Sequence, residues 1–364
     1  MNGGLIKMIK PIKVFTEKNH GESKDWRNYL IHPIRSYWGD GTIDWEKWKK
    51  DFDFYKTYFV LSDKPENSDV AFLPFTLNYY SKYNKVEIFM NFLKQMQKFK
   101  IKVFVWVEGD QDVIFNHPDC IFIKYVGYKS NKIPNVIIQP GDLKDDLLKK
   151  YYDGQLVIRE KNNKPSIGFV GMADYPTVKL ALLIIKQCLK HCQYFFQNTL
   201  FESEPVIPYF IHRKATLERI KNTKEISSNF ILRKTFAEGI RTNDPNARLV
   251  FIDNIINNDY TFCMRGGGNY SIRFYETLCL GRVPIFIDTN CVLPFEEKID
   301  WKNLCLWVDE NNIDRIGELI IDFHSSITNK EFKERQLYAR EVWEKYLSKE
   351  GFTEKLSLLI NDIK

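Results

Sequence analysis

The chain has 364 residues, enough for two domains with a sizeable core in each. Its 44% apolar share is ordinary for a globular protein, and its net charge of +6 is spread along the chain without a basic tail, which suits anionic ligands and does not suggest nucleic acid. Seven irregularly spaced cysteines give no disulfide framework, and no apolar run has the length of a signal-peptide core or a bilayer span.

In chain order, 11–16 reads as a first strand. The connection 17–41 is polar and aromatic-rich, with His20, Trp26, Arg27, His32, Arg35 and Trp38. A long connection after a first strand sits at the cleft of an α/β sheet, so it reads either as a binding loop or as local packing. An amphipathic helix is expected at 45–54, with strands at 58–61 and 69–75. A second helix, 85–98, sets Val86, Phe89, Phe92, Leu93 and Met96 on one side. The strongly apolar strand 101–107 runs into Glu108-Gly109-Asp110-Gln111-Asp112. Acids there would lie at the carboxyl edge of a sheet, as a general base or as ordinary turn residues. Asp110 and Asp112 also form an Asp-x-Asp, a spacing used to hold divalent metal, as does Asp51-Phe52-Asp53 elsewhere in the chain. Strands at 121–126 and 136–139 and a helix at 143–152 complete this half.

The polar run 161–165 carries a proline and marks a boundary, dividing the chain into 1–160, 161–328 and closing helices over 329–364. A new first strand, 166–171, ends in a glycine. The apolar helix 177–192 is too short for a span and reads as a buried core helix. Cys188, His191 and Cys192 lie close together on it without further zinc ligands, and read as core packing. A basic helix at 209–220 carries Arg213 and Lys214, a short strand at 229–233 ends in Arg233, and Arg241 precedes a turn. Each of these arginines, taken singly, reads as solvated surface charge.

The most informative stretch is 259–295. A short apolar strand, 260–264, leads into Arg265-Gly266-Gly267-Gly268-Asn269. Ser271 is placed to cap a helix that Gly281 ends, and the next strand, 283–287, is entered through Pro284. Glycines admit close approach of a ligand to the backbone, and a helix N-terminus attracts anions. With Arg265 and Arg273 on either side, the implied anion is a phosphate or diphosphate. Glu276, one turn after Arg273, can accept from sugar hydroxyls; the alternative is a capped loop with a surface Arg–Glu pair. The dinucleotide fingerprint fails because Ser271 replaces its third glycine, and the Walker Gly-Lys-Ser/Thr is absent.

Arg265, Gly266, Gly268, Ser271, Arg273, Glu276, Leu278, Gly281, Pro284 and Asp288, followed by Leu293-Pro294-Phe295 and Ile299-Asp300-Trp301, resemble the C-terminal motif of the exostosin-like glycosyltransferases. The likeness is specific over 259–301 and reaches weakly back to Pro165. Residues 68–74 are similar to a recurring stretch of the family's N-terminal half, which otherwise matches only in outline. The resemblance implies an α/β GT-B fold: two Rossmann-like domains face a cleft, and a final helix crosses back to the first domain. The second domain would bind a nucleotide-sugar, most simply a UDP-sugar, and the first a glycan acceptor. Arg265, Gly266, Gly267, Gly268, Asn269, Ser271 and Arg273 would hold the diphosphate, with Arg213, Arg233 and Arg241 as candidates for an additional basic residue. Glu276 would hold the ribose, and Asp288 and Asn290 would line the base or sugar pocket. No cofactor or metal is expected. Gly268 stands where retaining relatives carry a glutamate, which favours inversion and calls for a base, Asp110 first and Glu108 second. A metal-dependent GT-A enzyme using Asp110 and Asp112, and a silent sugar-binding module, are the alternatives. Animal exostosins resemble membrane-anchored lumenal proteins; without such an anchor in view, the expectation here is a cytoplasmic bacterial or viral enzyme.

Overall fold

A computed structural model of the protein describes residues 10–39, 45–131, 133–141, 143, 145–173, 177–196, 199–203, 205–233 and 245–363. The first half contributes β1 (Ile12–Phe15), β2 (Phe59–Ser62), β3 (Val70–Phe72), β4 (Val103–Val107), β5 (Cys120–Lys124) and β6 (Val136–Ile138), in spatial order β2-β1-β3-β4-β5-β6. The second contributes β7 (Ser166–Met172), β8 (Ser227–Arg233), β9 (Tyr260–Cys263), β10 (Val283–Asp288) and β11 (Leu306–Asp309), in order β11-β10-β9-β7-β8. All pairings within both sheets are parallel.

Sequence dictates this layering. The central strands VFVWV and CIFIK are buried along their whole length, as strands covered by helices on both faces must be. The helix Val86–Lys98 lays Phe89, Phe92, Leu93 and Met96 into the core of the first sheet. In each sheet the first strand lies between the second and the third, the doubly wound order that reverses direction beside its first strand. Ligands bind outside the carboxyl ends of the strands at that reversal, which here falls between β7 and β9.

The carboxyl edges of the two sheets meet. Beyond β5, the Lys129 N–H donates to the carbonyl of Asn290 at 2.9 Å, and the Val292 N–H to that of Gly127 at 3.1 Å. Tyr128 and Cys291 form an antiparallel bridge across the same joint. Two parallel sheets meeting at their carboxyl edges make the GT-B plan. After the helix Asn329–Val342 the chain passes through one π-helical turn into the helix Lys349–Ile363, whose Phe352, Leu356 and Ile360 lie in the core of the first sheet. Lys349 Nζ pairs with Asp51 at 2.5 Å on the way.

Several expectations need correction. The connection after β1 holds two short helices, Ser23–Tyr29 and His32–Trp38, and His20 is buried, bonded to the Tyr80 hydroxyl at 2.6 Å. That residue serves packing. Helices at Leu77–Lys82 and Pro245–Ile256 have no counterpart in the sequence reading. The apolar helix extends over Thr177–Phe196 and is exposed where burial was expected, and Cys188 and Cys192 are exposed with it. Arg241 lies outside the described residues.

Phe352→Ala empties a ring-sized space where the last helix enters the first core, and should cost about 3–5 kcal/mol. Urea unfolding of wild type and variant, followed by tryptophan fluorescence, measures the loss.

Candidate functional site

Three arginines converge at the reversal between β7 and β9. Arg213, from the helix Tyr209–Asn222, donates through Nη1 to the carbonyl of Met172 at 2.8 Å, where β7 ends. Its Nη2 donates to the carbonyl of Met264 at 3.3 Å and also to that of Arg265, just past β9. It therefore bridges the two strands on either side of the reversal. Arg273, on the helix Ile272–Cys279, donates to the Val170 carbonyl of β7 at 2.7 Å and lies 4.2 Å from the centre of the Phe169 ring. Arg265 lies 4.2 Å from the centre of the Tyr209 ring and donates to the Gly267 carbonyl at 2.7 Å.

Their environment is electrostatically unusual. Among the described residues, none of the three is paired with a carboxylate. Nε of Arg213, Nε and Nη1 of Arg265 and Nε of Arg273 are buried without an acceptor. Burial, and then the nearby charge of Arg273, push the Arg213 guanidinium down to about 9, so it still carries its proton at neutral pH. Burial also lowers Arg273. Buried cations normally have partners, so a cluster without one is poised for an anion. The N-terminus of Ile272–Cys279 stands beside it, and Ser271, at the cap position, makes no capping bond of its own.

Packing bears on the glycine run, most of all at Gly268. A side chain at Gly266 would come 3.2 Å from Nη2 of Arg213, and one at Gly267 would come 2.5 Å from Oδ2 of Asp110. At Gly268 it would meet the Asp110 Cα at 2.8 Å, the Tyr270 ring at 2.8 Å and Val126 at 2.9 Å. The space that a ligand was expected to use beside Gly267 and Gly268 is thus taken by the first half. This contact sets Asp110 directly on the arginine turn, where burial and then the charge of Asp110 push the Tyr270 hydroxyl up. The neighbouring Glu108 is held through its N–H, which donates to Asn78 Oδ1 at 2.8 Å.

Other nominated residues divide sharply. Glu276 is paired with Arg248 at 2.5 Å, one turn from Arg273; Arg248 was not foreseen, because its helix was not. Arg233 donates to the Ala247 carbonyl at 2.6 Å, and its charge reaches Arg273. Asn269 is fully buried and its amide is spent on the joint: Nδ2 donates to the carbonyls of Gly127 and Thr289 at 3.1 Å each, and Oδ1 accepts from Thr289 at 2.6 Å. Asp288 accepts from Lys129 Nζ at 2.9 Å and from the Cys291 N–H at 2.9 Å. Both therefore tie the halves together. Asp112 is buried in an ion pair with Lys124, away from Asp110, so the two carboxylates do not form one chelate. Glu202, also unforeseen, lies near Asp112, and burial pushes its carboxyl up.

Sheet order and facing carboxyl edges together define a GT-B architecture, with the arginine cluster at the reversal of its second sheet. Residues 211–322 match the model of the Exostosin GT47 domain. The chain is 35% identical over 107 residues to "Exostosin-1 homolog" of Caenorhabditis elegans, 29% of this chain and 27% of that protein. It is 36% identical over 98 residues to "Exostosin-1" of Drosophila melanogaster, 26% of this chain and 12% of that protein. It is 34% identical over 88 residues to "Exostosin-2" of Bos taurus, 24% and 12%. The chain therefore spans about a quarter or less of the curated relatives it matches. Among solved structures, a glycosyltransferase from Rickettsia africae ESF-5 aligns with a TM-score of 0.38 at 12% identity, covering 97% of this chain and 98% of that one. TarM aligns with a TM-score of 0.34 at 13% identity, covering 72% and 50%.

Gly268→Ala should destabilise by about 1–3 kcal/mol, because the new methyl meets backbone and ring. Gly267→Ala meets only the end of Asp110, which can swing aside, and should change stability by less than about 1 kcal/mol. Thermal melts of the two variants test this ordering.

Proposed function

We propose that the protein transfers a sugar from a nucleotide-sugar, most simply a UDP-sugar, to a glycan hydroxyl with inversion and without an obligatory metal. The observation that carries this reading is the cluster of buried Arg213 and Arg265 with partly buried Arg273, none paired with a carboxylate among the described residues, with Asp110 pressed against the same turn from the facing sheet. As the glycosidic bond breaks, negative charge grows on the leaving diphosphate. Fixed guanidinium groups and the N–H groups at the start of Ile272–Cys279 meet that charge without reorganising. Glu276, held by Arg248, takes the ribose hydroxyls. Asp110, on the acceptor side, removes the proton from the attacking hydroxyl as that oxygen bonds to the anomeric carbon. Glu108 is the second candidate for this step.

The metal-dependent alternative weakens with the Asp112–Lys124 pair, because it leaves one carboxylate where a chelate needs two. Activity that survives added chelator supports the metal-independent reading, and activity abolished by chelator removes it. A silent sugar-binding module would bind donor and release nothing.

A thermal-shift screen against UDP, GDP, CMP and their sugars should single out one nucleotide; saturation at a hundred times Kd adds about 2.7 kcal/mol. Arg273→Ala should lower kcat by about 10²–10³ with a smaller effect on acceptor KM. Glu276→Ala should cost about 1.5–3 kcal/mol of donor affinity with the fold retained. Asp110→Asn should lower transfer by about 10²–10⁴ while nucleotide binding persists, and full turnover in that variant would give the base to another residue.

A further inference from the structure

The helix Thr177–Phe196 contributes to none of the three hydrophobic cores, and among its described side chains only Gln187 is buried. Val178, Leu182, Ile185 and Leu189 are 56–75% exposed, and Phe195 and Phe196 are 79% and 89% exposed. Val178, Leu182, Ile185, Leu189, Cys192 and Phe196 follow one another at steps of four and three, so they lie along one face. That face is about 27 Å long at 1.5 Å per residue. A continuous apolar stripe of this kind marks an interaction surface.

Charge selects the occupant. The helix carries Lys179, Lys186, Lys190 and His191 and no carboxylate. A second copy of the same helix would bring lysines against it and no acid to answer them. An anionic lipid surface meets both features: the apolar face enters the boundary between headgroups and acyl chains, and the lysines face phosphate. No helix among the described residues is long and apolar enough to cross a membrane, so this one would lie in the interface.

The helix is anchored at both ends. The helix follows β7, whose last carbonyl holds Arg213. Past its other end, Ser203 Oγ is 3.0 Å from His191 Nδ1, the Ile114 N–H donates to Leu200 at 3.0 Å, and Gln111 Nε2 donates to the Glu202 carbonyl at 3.2 Å. The helix thus connects the carboxyl edge of the second sheet with the segment just beyond Asp110, beside the cleft.

We propose that the helix Thr177–Phe196 docks the protein on an anionic lipid bilayer, with its Val178–Phe196 face in the interface. This does not depend on the transfer reaction, so the two readings fail separately.

Flotation with vesicles of phosphatidylcholine and phosphatidylglycerol should carry wild type at low salt, with binding that falls as salt rises and is weak on pure phosphatidylcholine. The variant L182E/L189E, altered only at exposed positions, should keep its melting temperature and lose roughly a hundredfold in partitioning, whereas Leu337→Glu on a distant helix should bind as wild type. Cys188 and Cys192 are the exposed thiols, the other five cysteines being buried. Anionic vesicles should therefore protect them from a charged maleimide at any protein concentration. No binding of wild type to anionic vesicles, or equal binding by the double variant, overturns the proposal. Thiol protection that grows with protein concentration in the absence of lipid, together with a dimer in sedimentation, would assign the face to a second copy instead.

Discussion

Three positive charges are held together at the reversal of the second sheet, and among the described residues no carboxylate is paired with any of them. Everything nearby serves to make that tolerable. Each guanidinium spends donors on backbone carbonyls, and Arg265 and Arg273 also lie over aromatic rings, which offer negative faces to a cation. These partners reduce the cost of burial without cancelling it, as the downward displacement of Arg213 and Arg273 indicates. A carboxylate in the cluster would have been the cheaper solution for stability. Its absence leaves a local field that only an incoming anion completes.

Such a field is useful only if the facing sheet is brought to it accurately, and the glycine turn does this. Because Gly267 and Gly268 lack side chains, Asp110 and Val126 of the first half can rest on the backbone that leads from Arg265. Asn269 then fastens the joint from inside, bonding to Gly127 on one side and Thr289 on the other. The same five residues thus carry charge at one end, close approach in the middle and a domain fastener at the other. The closing helix, which places Phe352, Leu356 and Ile360 in the first core, braces the halves from the far side.

Much of this could be read from residues alone, and the exceptions have identifiable causes. The strand, turn, helix and strand of 259–288 were legible because each boundary has its own chemical marker: Ser271 at the cap position, and Gly281 just past the helix at a φ of +59°. The pairing of sheets was legible because apolar runs alternate with helical spacing. Arg213 could be nominated but not singled out from Arg233 and Arg241, since a basic residue on a weakly amphipathic helix looks the same whether its side chain faces water or the end of a strand. Arg248 was hidden because Pro245–Ile256 follows a breaker and lacks a strong apolar stripe. For the helix 177–196, composition suggested core, but its charged residues are lysines with no acid, and a helix buried among other helices seldom carries three lysines.

Asp110 and Asp112 show how far local sequence can go. They are two residues apart, of one type, in one turn, and both end a strand's approach to the cleft. Asp112 turns inward, where Lys124, the last residue of β5, neutralises it, and the buried pair fixes the course of the chain beyond β4. Asp110 turns outward onto Gly267. Which of the two is available for chemistry therefore depends on a lysine twelve residues later and on a glycine from the other half of the molecule. Neither dependence is visible in the motif, and both follow from the parallel pairing of β4 with β5 and from the meeting of the two carboxyl edges. With Asp112 neutralised from behind, Asp110 faces the arginine turn without an unpaired like charge two residues along the chain.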